Sequence, residues 1–183
     1  MLANRGMRSS TLITSLLALG ALAACSNDLS RESAVSACGG FAQSGQALVA
    51  DLKGDPATYC EAERLLWAYF PATQTLELSN NRILLNCCGK HELDVTLDGT
   101  TYVITETDAP EFGDARCGCS CVFDYAAAVD GVPAGQVDLR IIRDVTDDDA
   151  GPAAVWEGSI DTTTSTGAVD ITTGDIDPWC GGE

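Results

Sequence analysis

The chain has 183 residues, of which 27 are acidic, ten are lysine or arginine and one is histidine, so its formal net charge at neutral pH is −17. Such a charge opposes binding to the phosphates of nucleic acid and to anionic lipid headgroups, and we expect neither as a partner. The length suits a single domain with its own hydrophobic core, because domains commonly contain about 100 to 150 residues.

The first residues have the layout of a secretory signal. Arg5 and Arg8 precede an uncharged, mostly apolar run over residues 12–24, and the first acidic residue is Asp28. The run has 13 residues, whereas a helix that crosses a membrane needs about 20. We therefore predict a signal peptide over residues 1–24 in preference to a permanent membrane span.

The end of this segment, Leu22-Ala23-Ala24-Cys25, resembles the lipobox of bacterial lipoproteins. The resemblance implies that Cys25 carries a diacylglyceryl group and that its new amino group is acylated after cleavage. Two or three acyl chains anchor a soluble domain stably, whereas a single chain binds a membrane only marginally. Ser26 follows, which by the same resemblance implies the outer membrane and leaves the face open. The alternative is an ordinary signal peptide whose removal leaves Cys25 unmodified.

Removal of residues 1–24 takes away two positive charges, so the mature chain has 159 residues and a formal charge of −19. Residues 25–37 are small and polar, and we predict a lipidated cysteine with a flexible tether that reaches about 20 Å. Residues 38–183 form the predicted domain. Its densest acidic cluster lacks the spacing of an EF-hand loop, and we interpret it as a solvated loop and not as a calcium site. This cluster comprises Asp144, Asp147, Asp148 and Asp149.

The elements before Pro71 are weakly marked, because short apolar runs fit either a helix or a strand. Asp55 and Pro56 have the pattern of a helix N-cap and first position, which predicts a short helix over residues 61–69. After Pro71 the pattern alternates with a period of two, as in half-buried strands. The predicted strands cover residues 75–79, 82–88, 91–98, 101–107, 117–127, 137–143, 153–161 and 168–172.

Turn signals separate these strands. Asp98-Gly99 predicts a hairpin with a type I′ turn, since that turn requires positive φ at both central residues. Many short strands with turns between them indicate an all-β fold. We predict an antiparallel β-sandwich of about seven strands with a short N-terminal helical segment, and a barrel is the alternative.

Eight cysteines follow the predicted lipidation site, and their even number in an exported chain indicates disulfides. They are Cys38, Cys60, Cys87, Cys88, Cys117, Cys119, Cys121 and Cys180. The sequence leaves the connectivity open. Neighbouring residues of a strand point to opposite faces, so Cys87 and Cys88 should have different partners. By the same rule Cys117, Cys119 and Cys121 should share one face, which Phe123 and Tyr125 continue.

The run Asn86-Cys87-Cys88 is followed about 30 residues later by Cys-x-Cys-x-Cys-x-Phe-Asp, over residues 117–124. This combination resembles a pattern of uncharacterised Cys-rich bacterial lipoproteins. The resemblance covers about a third of the mature chain and implies no activity.

The expected function is that of a lipid-anchored cell-envelope protein with a binding or structural role. Its contact with the membrane would be the lipid anchor, and we expect no cofactor besides the covalent lipid. No catalytic residue can be nominated, and the sequence favours a non-enzymatic role. The single histidine, His91, would be the only candidate histidine base of a hydrolase, and a structural role suits its position at a strand start better.

Two further functions remain open. A metal-binding protein could use thiolates and imidazole for zinc or copper; the candidate ligands are Cys87, Cys88, His91, Cys119 and Cys121. On one strand Cys117 and Cys121 would lie about 13 Å apart, so only adjacent members of the triplet could share an ion. A thiol-disulfide oxidoreductase could use Cys117-Gly-Cys119 or Cys119-Ser-Cys121, with Arg116 as the positive charge that activates a thiol.

Overall fold

The computed structural model describes residues 28–41, 63–111, 113 and 115–172. This part of the chain contains β1 Ser30–Val35, β2 Arg64–Phe70, β3 Thr75–Asn86, β4 Lys90–Asp98, β5 Thr101–Ala109, β6 Ser120–Val129, β7 Gln136–Val145, β8 Ala153–Asp161 and β9 Thr166–Asp170. Among the described residues no helix has the length and apolar character to cross a membrane. The predicted signal peptide and Cys25 lie outside them.

The strands form two sheets that share one core. The five-stranded sheet has the order β1-β6-β3-β2-β9 and is antiparallel throughout. The four-stranded sheet has the order β4-β5-β7-β8. Its strands β5 and β7 pair in parallel, because the chain crosses to the other sheet as β6 between them. The predicted all-β sandwich is confirmed.

The core explains the alternating pattern of the sequence. In β4, Leu93 and Val95 are buried while Glu92 and Asp94 are exposed. In β6 every residue from Cys121 to Val129 is buried, because this strand lies between β1 and β3 inside the five-stranded sheet. Burying an aliphatic or aromatic side chain stabilises a fold by about 1.5 to 3 kcal/mol, so the shared core is the main source of stability.

The strands predicted after Pro71 are all present, but two of them are one. The two predicted runs, 75–79 and 82–88, fall on a single strand, β3, which ends at Asn86 and has a bulge where its register against β6 shifts between Asn80 and Ile83. Arg82 in this bulge has a φ of 68°. The polar pair Asn80-Asn81 therefore lies at a local irregularity, and β3 continues on both sides of it.

The predicted hairpin between β4 and β5 is confirmed, with its turn moved by one residue. Asp98 pairs with Thr101, so the loop is Gly99-Thr100. Gly99 has a φ of 63° and Thr100 is not among the residues of positive φ. This is the pattern of a type II′ turn, which needs glycine only at its first central position.

The helix predicted over residues 61–69 is wrong in its described part, because residues 64–70 form β2. Leu65, Trp67 and Tyr69 alternate into the core with a period of two. The strand pairs with β3 on one side and β9 on the other. The Trp67 ring lies over Gly167 of β9, where any side chain would overlap it. The local pattern of this run fits either a helix or a strand. Pairing with β3 and β9 on its two sides makes it a strand.

The tether predicted over residues 25–37 is also wrong in its second half. Residues 30–35 form β1, which pairs with β6. Just before it, the N–H of Leu29 donates to the carbonyl of Val95 at 2.6 Å, and the Asp28 carboxylate accepts from the N–H of Val95 at 3.0 Å. The chain from residue 28 onward is therefore attached to both sheets, and the domain begins before residue 38.

Candidate functional site

Three disulfides lie at one end of the five-stranded sheet, where β3 ends and β6 begins. They join Cys38 to Cys121, Cys87 to Cys119 and Cys88 to Cys117, with Cα–Cα distances of 5.5, 5.6 and 5.4 Å. These distances are typical of disulfides. We call this region, defined by the six cysteines, the cysteine end. Cys60 and Cys180 lie outside the described residues, and their pairing stays a prediction.

The register between β3 and β6 brings the cysteines together. Asn86, the last residue of β3, is opposite Ser120, the first residue of β6. Beyond this pair, the N–H of Cys87 donates to the carbonyl of Cys119 at 3.2 Å, and the Asn86 side chain donates to the carbonyl of Cys117 at 2.8 Å. The two segments are thus held side by side by backbone and side-chain hydrogen bonds. The prediction that Cys87 and Cys88 have different partners is confirmed.

The strand predicted over residues 117–127 begins only at Ser120. Cys117 and Cys119 lie in the irregular segment before it, whereas Cys121 is within β6 and buried in the core. The alternative redox pairs within Cys117-Gly-Cys119 and Cys119-Ser-Cys121 are not formed, because these three cysteines are bonded to Cys88, Cys87 and Cys38, respectively.

Two of the bridges are close together. The sulfur atoms of Cys87, Cys88 and Cys117 all lie within 4.8 Å of one another, and all three residues are half-buried. Cys119, the bonded partner of Cys87, is exposed. We call Cys87, Cys88, Cys117 and Cys119 the sulfur cluster.

The sulfur cluster differs from the ligand set predicted for a metal. In the structure Cys117, which that set did not contain, lies close to Cys87 and Cys88. Cys121 is bonded to Cys38 instead, and His91 is not part of the close group of ligand atoms among the described residues. The reason is that Cys117 lies in a loop, where the spacing of a strand does not apply.

His91 lies in β4 with its ring packed on Phe123, at 4.2 Å between ring centroids. Its Nε2 is 3.3 Å from Oδ1 of Asp108, and both side chains are less than one-tenth exposed. Burial lowers the pKa of His91, and the attraction of Asp108 opposes this. The ring is therefore neutral at pH 7, and its contacts favour a packing role over that of a catalytic base.

Arg116 fastens the segment that precedes β6. Its guanidinium donates to the side chain of Asp108 at 2.5 Å and to the Asp108 carbonyl at 3.0 Å. It also donates to the carboxylate of Asp147 from two nitrogens, with Nε at 2.9 Å from Oδ2. The hydrogen bond from Arg116 lowers the pKa of Asp147. Because two carboxylates neutralise Arg116, it is a poor activator of a neighbouring thiol.

An open cleft of about 590 Å³ lies beside the cysteine end. Leu84 and Leu85 line it together with Arg116 and four carboxylates, which belong to Asp108, Asp147, Asp148 and Asp149. The last three of these aspartates are exposed, as expected for a solvated acidic loop. The cleft thus has a negative potential beside a covalently fixed wall.

A second cluster of charged residues lies between the two sheets. Arg143 of β7 donates to Glu63 at 2.7 Å and to Glu106 of β5 at 2.8 Å. The side-chain amide of Asn80 in β3 donates to the same two carboxylates, at 2.8 and 2.7 Å. We call these four residues the interior network. Burial raises the pKa of Glu106, while Arg143 and Asn80 act in the opposite direction.

The interior network was not predicted, although the sequence contains a signal for it. In β5, Ile104, Glu106 and Asp108 occupy alternate positions, and all three are buried. A period of two that places acidic residues on the same face as an isoleucine indicates buried carboxylates that need a cationic partner.

The geometry therefore defines a disulfide-stapled β-sandwich with an acidic cleft at its cross-linked end. The chain matches no protein-family model, no curated protein and no solved structure. The chemistry of its own residues is the guide to its function.

Proposed function

We propose that the protein is a lipid-anchored component of the bacterial cell envelope, in which the disulfide-stapled sandwich has a binding or structural role. The observation that carries the proposal is the pairing of all six described cysteines. Disulfides persist in oxidising compartments and are rare in the cytoplasm. Export through the signal peptide, acylation of Cys25 and attachment to the outer membrane agree with that redox environment.

A non-enzymatic role is consistent with the chemistry of the cysteine end. The sulfur cluster is oxidised, the guanidinium of Arg116 is bound to Asp108 and Asp147, and the ring of His91 is packed on Phe123. Each of these groups is already held by a bond or a contact within the domain, and Arg116 also lines the cleft. The strongly negative domain repels anionic headgroups, so acyl chains on Cys25 would supply the attachment to the membrane.

The anchor is tested by expressing the full chain in a bacterial host with a radioactive fatty acid. We expect the label in the membrane fraction and an N-terminal peptide that begins at a doubly modified Cys25. Cys25→Ser should lose the label, whereas the matched variant Cys38→Ser should keep it. An uncut leader, or an unmodified Cys25 thiol in membrane-processed protein, would overturn the proposal.

The oxidised state is tested separately on protein released from the envelope. Alkylation without reductant should leave the six described cysteines unlabelled, and a nonreducing peptide map should contain the three bridges. Elemental analysis should find no stoichiometric metal in this oxidised form. Free thiols at the cysteine end of freshly isolated protein would contradict the binding or structural role and favour a redox or metal function.

A further inference from the structure

Three of the four sulfurs in the sulfur cluster have nearly the spacing of ligands in a zinc site. Zinc takes four ligands tetrahedrally with bonds to sulfur of about 2.3 Å, so its thiolates lie about 4 Å apart. The sulfurs of Cys87, Cys88 and Cys117 are already within 4.8 Å of one another. The fourth sulfur, that of Cys119, is bonded to Cys87 but lies outside this close group, so its side chain must rotate toward the other three.

The backbone around the sulfur cluster permits this rearrangement. Cys87 and Cys88 follow the end of β3, and Cys117 and Cys119 precede the start of β6. Their side chains can therefore rotate without breaking the ladder between the two strands. The hydrogen bond from Cys87 to Cys119 and the bond from Asn86 to Cys117 do not involve sulfur. These contacts keep the two segments together when the bridges open.

We propose that the sulfur cluster is a redox-dependent metal site, which holds two disulfides when oxidised and one zinc ion when reduced. A dithiol reductant transfers two electrons and two protons to each bridge and itself becomes a disulfide. The four resulting thiols release their protons to solvent as they bind Zn²⁺. This inference goes beyond the proposed function and does not depend on the lipid anchor.

The test uses the full chain with Cys25→Ser, reduced without oxygen and then freed of reductant. Titration with Zn²⁺ should end at one ion per chain. Bound zinc should protect the four cysteines of the sulfur cluster from alkylation, while the exposed Cys38 is modified. Cd²⁺ in place of zinc should give the ultraviolet charge-transfer absorption of cadmium thiolates.

Three matched double variants locate the site. Cys87→Ser/Cys119→Ser and Cys88→Ser/Cys117→Ser each remove one bridge of the sulfur cluster and should abolish binding at one equivalent. Cys38→Ser/Cys121→Ser removes the third bridge and should retain it. Equal binding by all three variants, or alkylation of the sulfur cluster despite zinc, would overturn the proposal.

Folding is followed by circular dichroism in the same samples. A reduced chain that keeps its β spectrum should bind zinc without a large spectral change. A reduced chain that loses the spectrum should recover it on addition of zinc, because a metal that binds only the folded form shifts the equilibrium toward it. Loss of the spectrum without recovery would also overturn the proposal.

Discussion

The cysteine end and the interior network join distant parts of the chain by opposite means. The bridge from Cys38 to Cys121 spans 83 residues, and the ion pair from Glu63 to Arg143 spans 80. The first link is covalent and limits the unfolded chain. The second exists only in the folded state, where Glu63 and Glu106 are shielded from water. Two links of the same span therefore fail under different conditions, one on reduction and the other on loss of a charged partner.

Removal of a disulfide should have the largest effect on the free energy of unfolding. Cys38→Ala/Cys121→Ala should lower the free energy of unfolding by about 4 to 5 kcal/mol, because the bridge closes a long loop. Cys88→Ala/Cys117→Ala should cost less, about 2 kcal/mol, because the adjacent bridge between Cys87 and Cys119 still closes nearly the same loop. Urea denaturation measures both. A larger loss for the shorter loop would show that restriction of the unfolded chain is not the cause.

Arg143→Met tests how much the interior network contributes to stability. It leaves two buried carboxyls without their cation, and we expect a loss of about 3 to 5 kcal/mol in the free energy of unfolding. The control is Arg140→Met on the same strand, where the arginine binds Glu157 and Asp98 at the surface. Exposed pairs contribute little, so its urea midpoint should stay near that of the wild type. Similar losses for both variants would contradict a special role for the buried pair.

Asp124→Asn is a smaller change that tests a third link between distant segments. One carboxylate oxygen accepts from the N–H of Phe41 and the other from the N–H of Arg82, each at 2.9 Å. An amide can accept only one of these bonds, and its NH₂ would face the other donor. We expect a loss of about 1 to 3 kcal/mol.

The readout for this variant is hydrogen exchange, which should accelerate at one or both of the Phe41 and Arg82 amides. Asp138→Asn at the exposed surface is the control, and it should leave both amides unchanged. Protection that stays the same in Asp124→Asn would show that the carboxylate is not what holds these two segments.

The smallest effect concerns pH at the cysteine end. Burial lowers the pKa of His91 from its ordinary value of 6.5, against the attraction of Asp108. The unfolded chain then binds a proton more readily than the folded one, so stability decreases as the pH falls through 6.5. Because the chain has one histidine, NMR can follow its titration directly. A pKa above 6.5 would show that Asp108 outweighs burial, and Asp108→Asn should lower the value further.

The sequence predicted the elements whose pattern is local. Alternation in residues 91–98 and the glycine of the next turn were sufficient for β4, β5 and the hairpin between them. The strand rule also predicted different partners for Cys87 and Cys88, although both residues lie just beyond the end of β3. The segments that were predicted wrongly, residues 64–69 and 30–35, form strands that pair with partners far along the chain, β9 and β6. Their short runs did not reveal those partners.

The candidate site was also predicted only in part. The sequence identified the cysteines but placed Cys117 and Cys119 on a strand, because the start of β6 depends on its register with β3. The interior network requires that β3, β5 and β7 meet across two sheets. Its glutamate at an inward position could have been noticed, but its arginine could not have been paired with it before the order of strands was known.

The connectivity of the bridges has a consequence for biosynthesis. The chain is synthesised from its N-terminus, so Cys60, Cys87 and Cys88 are available to Cys38 before its native partner Cys121 has been made. In each of the three described bridges, other cysteines lie either between the two bonded residues in the sequence or directly next to them. Oxidation in order of appearance would therefore connect the wrong residues. The three native bridges can form only after the start of β6 has been made, so any earlier bridge must be exchanged by thiol–disulfide reactions.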